Sequence, residues 1–145
     1  MTPPAAAVAP PPTRPPRTEP GPPPVAHLPR TIADRLAALR SLPGNWDAHG
    51  SGPPRSECLR DAEWLLIRLA ADHPADPPPR INATRGESIQ LEVEAGPRYF
   101  EVELPGRGVA RMFYEDEEKH VSEEWSGSLV ECVGVFAGYA RRVRG

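Results

Sequence analysis

IQLEVEAGPRYFEVEL, residues 89–104, alternates apolar and polar side chains on both sides of a short turn. A period of two is typical of strands that bury one face and expose the other. The turn at residues 95–98, Ala-Gly-Pro-Arg, is short enough to join antiparallel neighbours. We therefore predict a hairpin whose aliphatic side faces a core and whose opposite side carries four carboxylates, those of Glu92, Glu94, Glu101 and Glu103.

The sheet is expected to continue beyond this hairpin. Residues 105–108, Pro-Gly-Arg-Gly, form a second predicted turn, and residues 109–114 then provide a third strand. The polar segment 115–125 either adds a fourth strand or forms a loop. Strands joined in chain order by tight turns make an antiparallel meander with one buried face.

Two helices are predicted before the sheet. Residues 31–42 carry apolar side chains at helical spacing, with Thr31 as the predicted N-cap and Pro43-Gly44 as the end. The second helix is expected to open at Pro53-Pro54, because proline is tolerated in a first turn. Its core face holds six apolar side chains, those of Cys58, Leu59, Ala62, Leu65, Leu66 and Leu69.

A last helix is predicted after Ser128, since Ser128 and Glu131 have the spacing of a capping box. Gly134 and Gly138 lie on its apolar stripe and indicate a close approach between this helix and the sheet. The predicted fold is α+β: two N-terminal helices, a three- or four-stranded antiparallel meander, and a C-terminal helix packed on one face of the sheet.

Proline divides the chain into two parts. Residues 1–30 hold 12 of the 21 prolines, and because proline lacks an amide N–H we expect this segment to be a disordered tail. Residues 31–145 are expected to form a single small α+β domain. The sequence shows neither a secretory signal nor an apolar run of the roughly 20 residues that a membrane helix needs. We therefore expect a cytoplasmic protein that does not bind membranes.

The net charge of −3 is unevenly distributed along the chain. Residues 86–124 hold eleven acidic side chains against four basic ones. Such a surface repels a phosphate backbone, which argues against nucleic-acid binding through this region. The partner that this charge favours is a basic protein.

The segment between the first two helices resembles a motif found in many small, mostly uncharacterised bacterial proteins. Those proteins carry a motif like L-P-x-N-W-D-G-x-G-A-x-P-P, followed by an amphipathic helix and two short strands. Here residues 42–47 read Leu-Pro-Gly-Asn-Trp-Asp, Pro53-Pro54 follow, and residues 86–93 and 99–103 are similar to the two strands. The resemblance covers residues 36–140 and implies a fold and a bacterial origin, with no established activity.

Two positions depart from that motif. Ala48 stands where the motif has a glycine, and Val93 stands where it has a tryptophan. If the glycine position requires a positive φ, Ala48 is strained or the turn has a different shape.

The loop at residues 45–50 has a structural and a catalytic interpretation. Its Asn and Asp side chains are expected to bond neighbouring backbone N–H groups and its Trp ring to pack on the helices. The alternative is a small hydrolase, because Asp47, His49 and Ser51 are the residue types of a catalytic triad. Three such side chains within one turn do not converge easily, so we predict a structural motif formed by Asn45, Trp46, Asp47 and Gly50.

A metal-dependent enzyme is the other form of that alternative. Its candidate ligands lie before the second helix, after it, or on the glutamate-rich strand face. A helix of about 18 residues would separate the first two groups by roughly 27 Å, and no cysteine pair has zinc spacing. We therefore predict no metal and no cofactor. The candidates before and after the helix are Asp47, His49, Asp72, His73 and Asp76.

Two surfaces are candidates for binding a partner. The four glutamates of the hairpin repel one another across the strands, and we expect Arg98, Arg111, solvent, a divalent ion or a basic partner to compensate. Trp64 is predicted to point away from the core face of its helix, flanked by Arg60 and Arg68. It is then covered by the loop that contains Trp46, or it forms part of an interface.

These observations favour a non-enzymatic interaction or regulatory protein. Its expected partner is another protein, docked on the acidic strand face or on the Trp64 helix face and encoded by a neighbouring gene. The rival hypothesis remains a small hydrolase or metal-dependent enzyme that uses Asp47, His49 or the glutamate-rich face.

Overall fold

The computed structural model describes residues 28–145. The five strands form one antiparallel sheet in which each strand pairs with the next along the chain. Three helices pack together on one face of this sheet, so the predicted α+β architecture is confirmed. The elements in chain order are α1 (Arg30–Arg40), α2 (Ser56–Asp72), β1 (Arg80–Ala83), β2 (Ile89–Ala95), β3 (Arg98–Gly106), β4 (Val109–Asp116), β5 (Val121–Ser128) and α3 (Leu129–Arg144).

The predicted hairpin is confirmed, with its aliphatic side in the core. Leu91 pairs with Val102 and Val93 with Phe100, and all four side chains are buried. The apolar positions of α1, α2 and α3 cover them from one side. The Phe100 ring meets the Phe136 ring of α3 edge to face at 5.2 Å, an arrangement that adds to the stabilisation from apolar burial.

The sheet has five strands where the sequence indicated three or four. β5 resolves the open question about residues 115–125, because the chain turns at residues 117–120 and pairs again from Val121. β1 was not predicted. Its four residues, Arg-Ile-Asn-Ala, are too few to establish a period, and only Ile81 is buried.

Helix starts differ from the prediction at both N-terminal helices. α1 begins at Arg30 with Pro29 in the N-cap position and no side-chain cap, so the prediction of Thr31 as N-cap is wrong. α2 begins at Ser56 rather than at Pro53-Pro54. The backbone N–H of Arg55 donates to the carbonyl of Glu87 at 2.8 Å. This bond ties the segment before α2 to the turn between β1 and β2, and the backbone at Arg55 is still extended.

The start of α3 agrees with the sequence, since Ser128 Oγ accepts a hydrogen bond from the Glu131 N–H at 3.2 Å. The expected role of Gly134 and Gly138 is wrong. Both are exposed, and a Cβ built at either meets nothing within 4 Å. The side chains that bring α3 onto the sheet and α2 belong to its other face, namely Leu129, Cys132, Val133, Phe136, Ala137, Ala140 and Val143.

We expected residues 1–30 to be a disordered tail, and residues 1–27 of that segment lie outside the described residues. Leu28 is half-buried against the core, directly before α1. Within residues 28–145, no helix is long and apolar enough to cross a bilayer.

Candidate functional site

The face of the sheet opposite the helices, here called the outer face, carries the predicted acidic surface. Strand register continues it across the whole sheet, because Arg80, Glu92, Glu101, Phe113 and Glu124 are successive partners on the five strands. Six carboxylates and two guanidinium groups stand on this face. Its side chains are those of Arg80, Asn82, Gln90, Glu92, Glu94, Tyr99, Glu101, Glu103, Arg111, Phe113, Glu115, Ser122, Glu124 and Ser126.

At the centre of the outer face, Glu92 and Glu101 are directly opposed across β2 and β3. The Tyr99 hydroxyl donates to Glu101 Oε2 at 2.6 Å and lies 3.3 Å from Glu92 Oε1. The Gln90 amide nitrogen bonds both carboxylates. Burial of the phenol, followed by its hydrogen bond to Glu101, raises the pKa of Tyr99 above its ordinary value. The phenol therefore remains a donor at neutral pH.

Arginines compensate part of the negative charge. Arg80 Nη2 lies 3.1 Å from an oxygen of Glu92 and 3.1 Å from one of Glu94. Arg111 Nη1 lies 3.8 Å from Glu103 Oε1, as the sequence suggested. Both arginines are more than half exposed, so these pairs contribute little to stability.

Arg98, the other expected compensating residue, lies on the opposite face. The alternation along β3 places it with Phe100, on the helix side. There its Nε is 3.5 Å from Asp116 Oδ2, and its guanidinium donates to the carbonyl of Arg142 at 2.9 Å. The Asp116 side chain is only 3% exposed, and a buried carboxylate requires such a partner. Arg98 is therefore engaged inside the fold.

Phe113 is a residue of the outer face that the sequence analysis missed. It is half-buried between Glu101 on β3 and Glu124 on β5. Within residues 28–145, neither Glu115 nor Glu124 has a cationic side chain within 4 Å. The ring lies in a shallow open depression together with Glu101, Glu103, Arg111 and Glu124. The signal that would have found it is the alternation within residues 109–114, where buried Met112 and Tyr114 flank Phe113.

The second candidate surface, on α2, is more closed than the sequence suggested. Trp64 is half-buried and packs against the core cluster. Its indole N–H is buried without a hydrogen-bond partner among the described residues. Arg60 is exposed, while Arg68 is half-buried and lies 3.5 Å from Asp72 on the next turn. Trp64 is thus largely a packing residue.

Hydrogen bonds to backbone groups organise the loop at residues 45–50. Asn45 Oδ1 accepts from the Gly50 N–H at 2.6 Å, and the Asn45 N–H donates to the Ser51 carbonyl at 2.7 Å. Asn45 and Ala48 have φ values of 61° and 60°. Trp46 donates its indole N–H to the Gly52 carbonyl at 2.8 Å. The Trp46 side chain is half-buried but, within residues 28–145, it does not pack against the hydrophobic core.

Asp47 holds the second half of the loop. Its carboxylate accepts the Ser51 hydroxyl at 2.6 Å and the backbone N–H groups of His49 and Ser51 at 3.0 and 3.2 Å. These bonds, led by that of the Ser51 hydroxyl, lower the pKa of Asp47 to about 2. Ser51 donates directly to the carboxylate, so no imidazole stands between acid and hydroxyl as a triad requires.

The remaining metal candidates are divided between the two ends of α2. Asp47 and His49 precede this 17-residue helix, whereas Asp72, His73 and Asp76 lie at or beyond its end. His73 Nδ1 lies 3.0 Å from Arg141 Nη2, a cationic neighbour. Within the described part of the chain, no group of three or more His, Cys, Asp or Glu side chains is placed to hold a metal ion.

Comparison with known proteins gives no relative. No protein-family description matches the chain, and neither a curated protein nor a solved structure matches it.

Proposed function

We propose that this protein is a non-enzymatic interaction or regulatory protein that docks a basic segment of another protein on its outer face. The observation that carries the proposal is the row Arg80–Glu92–Glu101–Phe113–Glu124, which crosses all five strands on the face that no described element covers. Six carboxylates make this face negative and accessible, and the half-buried ring of Phe113 adds an apolar patch on β4 beside Glu101 and Glu124.

Folding alone does not require this arrangement. Like charges directly opposed across strands destabilise a sheet by up to about 1 kcal/mol, and Glu92 and Glu101 are so opposed. A lysine or arginine from a partner would meet the Phe113 ring through a cation–π contact and pair with Glu101 or Glu124.

The partner is proposed to be a protein rather than a nucleic acid, because carboxylates repel phosphates. We propose that it is encoded by a neighbouring gene, as in toxin–antitoxin or phage-defence pairs. We also propose, from the resemblance of residues 42–54 to the L-P-x-N-W-D motif of small bacterial proteins, that this chain is related to those proteins.

The test is co-expression with the product of the neighbouring gene, followed by affinity purification of matched variants. The face variant is Glu101→Gln/Glu103→Gln/Glu124→Gln. The control, Glu63→Gln/Glu117→Gln/Glu118→Gln, makes the same charge change away from the outer face. We expect the control to retain the partner and the face variant to weaken binding at least tenfold, with a steep salt dependence in the wild type. Equal retention by both variants would contradict the proposal.

The Trp64 helix face is distinguished by a different substitution. Arg60 is exposed on α2, so Arg60→Glu reverses a charge there without disturbing the core. A partner that docks on α2 would respond to Arg60→Glu and ignore the face variant. A hydrolase or metal-dependent enzyme would instead lose an activity on His49→Ala, a change that leaves the bonds of the Asp47 carboxylate in place.

A further inference from the structure

A second feature, separate from the outer face, is an apolar pocket where the three helices meet the loop after α2. Ile32 of α1, Leu66 and Leu69 of α2, and Phe136 and Ala140 of α3 form its walls. Its volume is about 90 Å³. Apolar pockets between helices, with a few polar groups, are a common form of small-molecule site, and most of them have volumes of roughly 300–1,000 Å³, so this smaller pocket suits only a small group. We call it the three-helix pocket.

The size of the three-helix pocket limits what can enter it. A buried water needs roughly 10–15 Å³ of such a cavity, so the pocket accommodates a group several times larger than water. Apart from His73, Asp76 and Arg144, the side chains that line it are apolar. An apolar group on the scale of a leucine side chain matches both the volume and the lining.

Charged groups of both signs stand at the rim. Arg144 of α3 lines the pocket, and its Nη2 donates to the carbonyl of Pro77 at 2.7 Å. This bond holds the guanidinium in place while leaving its other N–H groups available. Within residues 28–145, no carboxylate lies within ion-pair distance of Arg144. Arg144 is therefore a positioned cation without a matching anion in the described chain.

Asp76 provides the opposite charge at the same rim. It lines the pocket, and its backbone N–H donates to the His73 carbonyl at 3.1 Å, which fixes the loop. Among the described residues, no cation lies within ion-pair distance of its carboxylate. Arg144 and Asp76 therefore do not neutralise each other, and both are available to a bound molecule.

We propose that the three-helix pocket binds a free apolar α-amino acid. The side chain occupies the apolar pocket, the α-carboxylate pairs with Arg144, and the α-ammonium pairs with Asp76. A simple carboxylic acid would leave its negative charge beside Asp76, and a simple amine would leave its positive charge beside Arg144. Only a ligand that carries both charges next to an apolar group complements the rim and the walls together.

The first experiment compares three probes of nearly equal shape by calorimetry on the full chain. Leucine carries both charges, 4-methylpentanoate lacks the amine, and 3-methylbutylamine lacks the carboxylate. We expect saturable binding of leucine and at least tenfold weaker binding of each analogue. No binding of leucine, or binding of either analogue as tight as that of leucine, would overturn the proposal.

Variants then locate the site. Arg144→Gln is expected to weaken leucine binding at least tenfold with little effect on the residual binding of 3-methylbutylamine. Asp76→Asn should likewise weaken leucine binding at least tenfold, with little effect on the residual binding of 4-methylpentanoate. The control Arg40→Gln removes an exposed arginine of α1 that pairs with Glu63, and it should bind leucine normally. If Arg144→Gln and Asp76→Asn both bind leucine like the wild type, the ligand does not use this rim and the proposal fails.

Discussion

Glu92 and Glu101 face each other across β2 and β3, and the Tyr99 hydroxyl lies within hydrogen-bond distance of both. Two carboxylates so placed repel each other unless donors lie between them. Tyr99 and Gln90 are those donors. Arg80 compensates Glu92 from one side, whereas the donors to Glu101 are neutral, which leaves the negative charge of Glu101 available to a partner.

Removal of the phenol should expose this repulsion. We expect Tyr99→Phe to lower the free energy of unfolding by about 1 kcal/mol at pH 7, the usual contribution of such a hydrogen bond. In a Glu101→Gln background the same change should cost much less, because the like charge is already gone. Urea denaturation of the four proteins of this cycle measures the coupling. A cost for Tyr99→Phe that is independent of residue 101 would contradict this account.

Asp47 should make the fold sensitive to acid. Its pKa is about 2 in the folded protein and 3.8 ordinarily, so the folded state favours the charged form. The stabilisation is complete above the ordinary pKa and is lost as the pH falls from about 5 toward 2. We expect Asp47→Asn to reduce stability at pH 7 and to flatten the dependence of stability on pH in that range, as measured by urea unfolding at several pH values. Parallel curves for variant and wild type would show that Asp47 has no such role.

The left-handed backbone at Ala48 predicts a stabilising substitution. An alanine with φ near 60° is strained, and glycine relieves that strain. We expect Ala48→Gly to raise the free energy of unfolding by about 0.5–1 kcal/mol, after allowing for the entropy that glycine adds to the unfolded chain. The same substitution at Ala38, exposed in the last turn of α1, should destabilise by up to about 1 kcal/mol. If Ala48→Gly and Ala38→Gly changed the free energy of unfolding in the same direction, strain at Ala48 would be excluded as the explanation.

The sequence predicted the outer face well because one physical signal dominates there. The period of two from Ile89 to Leu104 fixes which side chains are buried, and a short turn fixes their partners. Arg80 was missed because β1 is too short to be recognised. Arg98 was expected to pair with the glutamates because it is near them in the sequence. The alternation along β3 instead directs its side chain to the helix side of the sheet, where it pairs with Asp116.

Edge strands and helix glycines were harder to interpret. On β5, at the edge of the sheet, the apolar inward side chains Val121 and Trp125 are interrupted by Glu123, which is bonded to Arg142 of α3 at 2.6 Å. β5 therefore pairs with β4 although its sequence shows no regular alternation of apolar and polar residues. Asp47 was also hard to interpret. It accepts hydrogen bonds from its own loop, and residue types alone could not distinguish such a structural carboxylate from a catalytic one.

The exposed glycines of α3 provide a final prediction. Gly134 and Gly138 lie in mid-helix, and the space around each is open to a Cβ. Because glycine costs a helix about 1 kcal/mol relative to alanine, Gly134→Ala and Gly138→Ala should each raise the free energy of unfolding by about 0.5–1 kcal/mol in thermal or urea denaturation.

Gly106→Ala is the matched control for these two substitutions. Its φ is +99° and a Cβ there would lie 2.8 Å from the Glu57 side chain, so it should destabilise by more than 1 kcal/mol. If Gly134→Ala or Gly138→Ala instead lowers stability, a neighbour must approach α3 closely at these positions in solution. Sedimentation of the same variants would then show whether that neighbour is a second copy of the chain, because the added methyl groups would dissociate it.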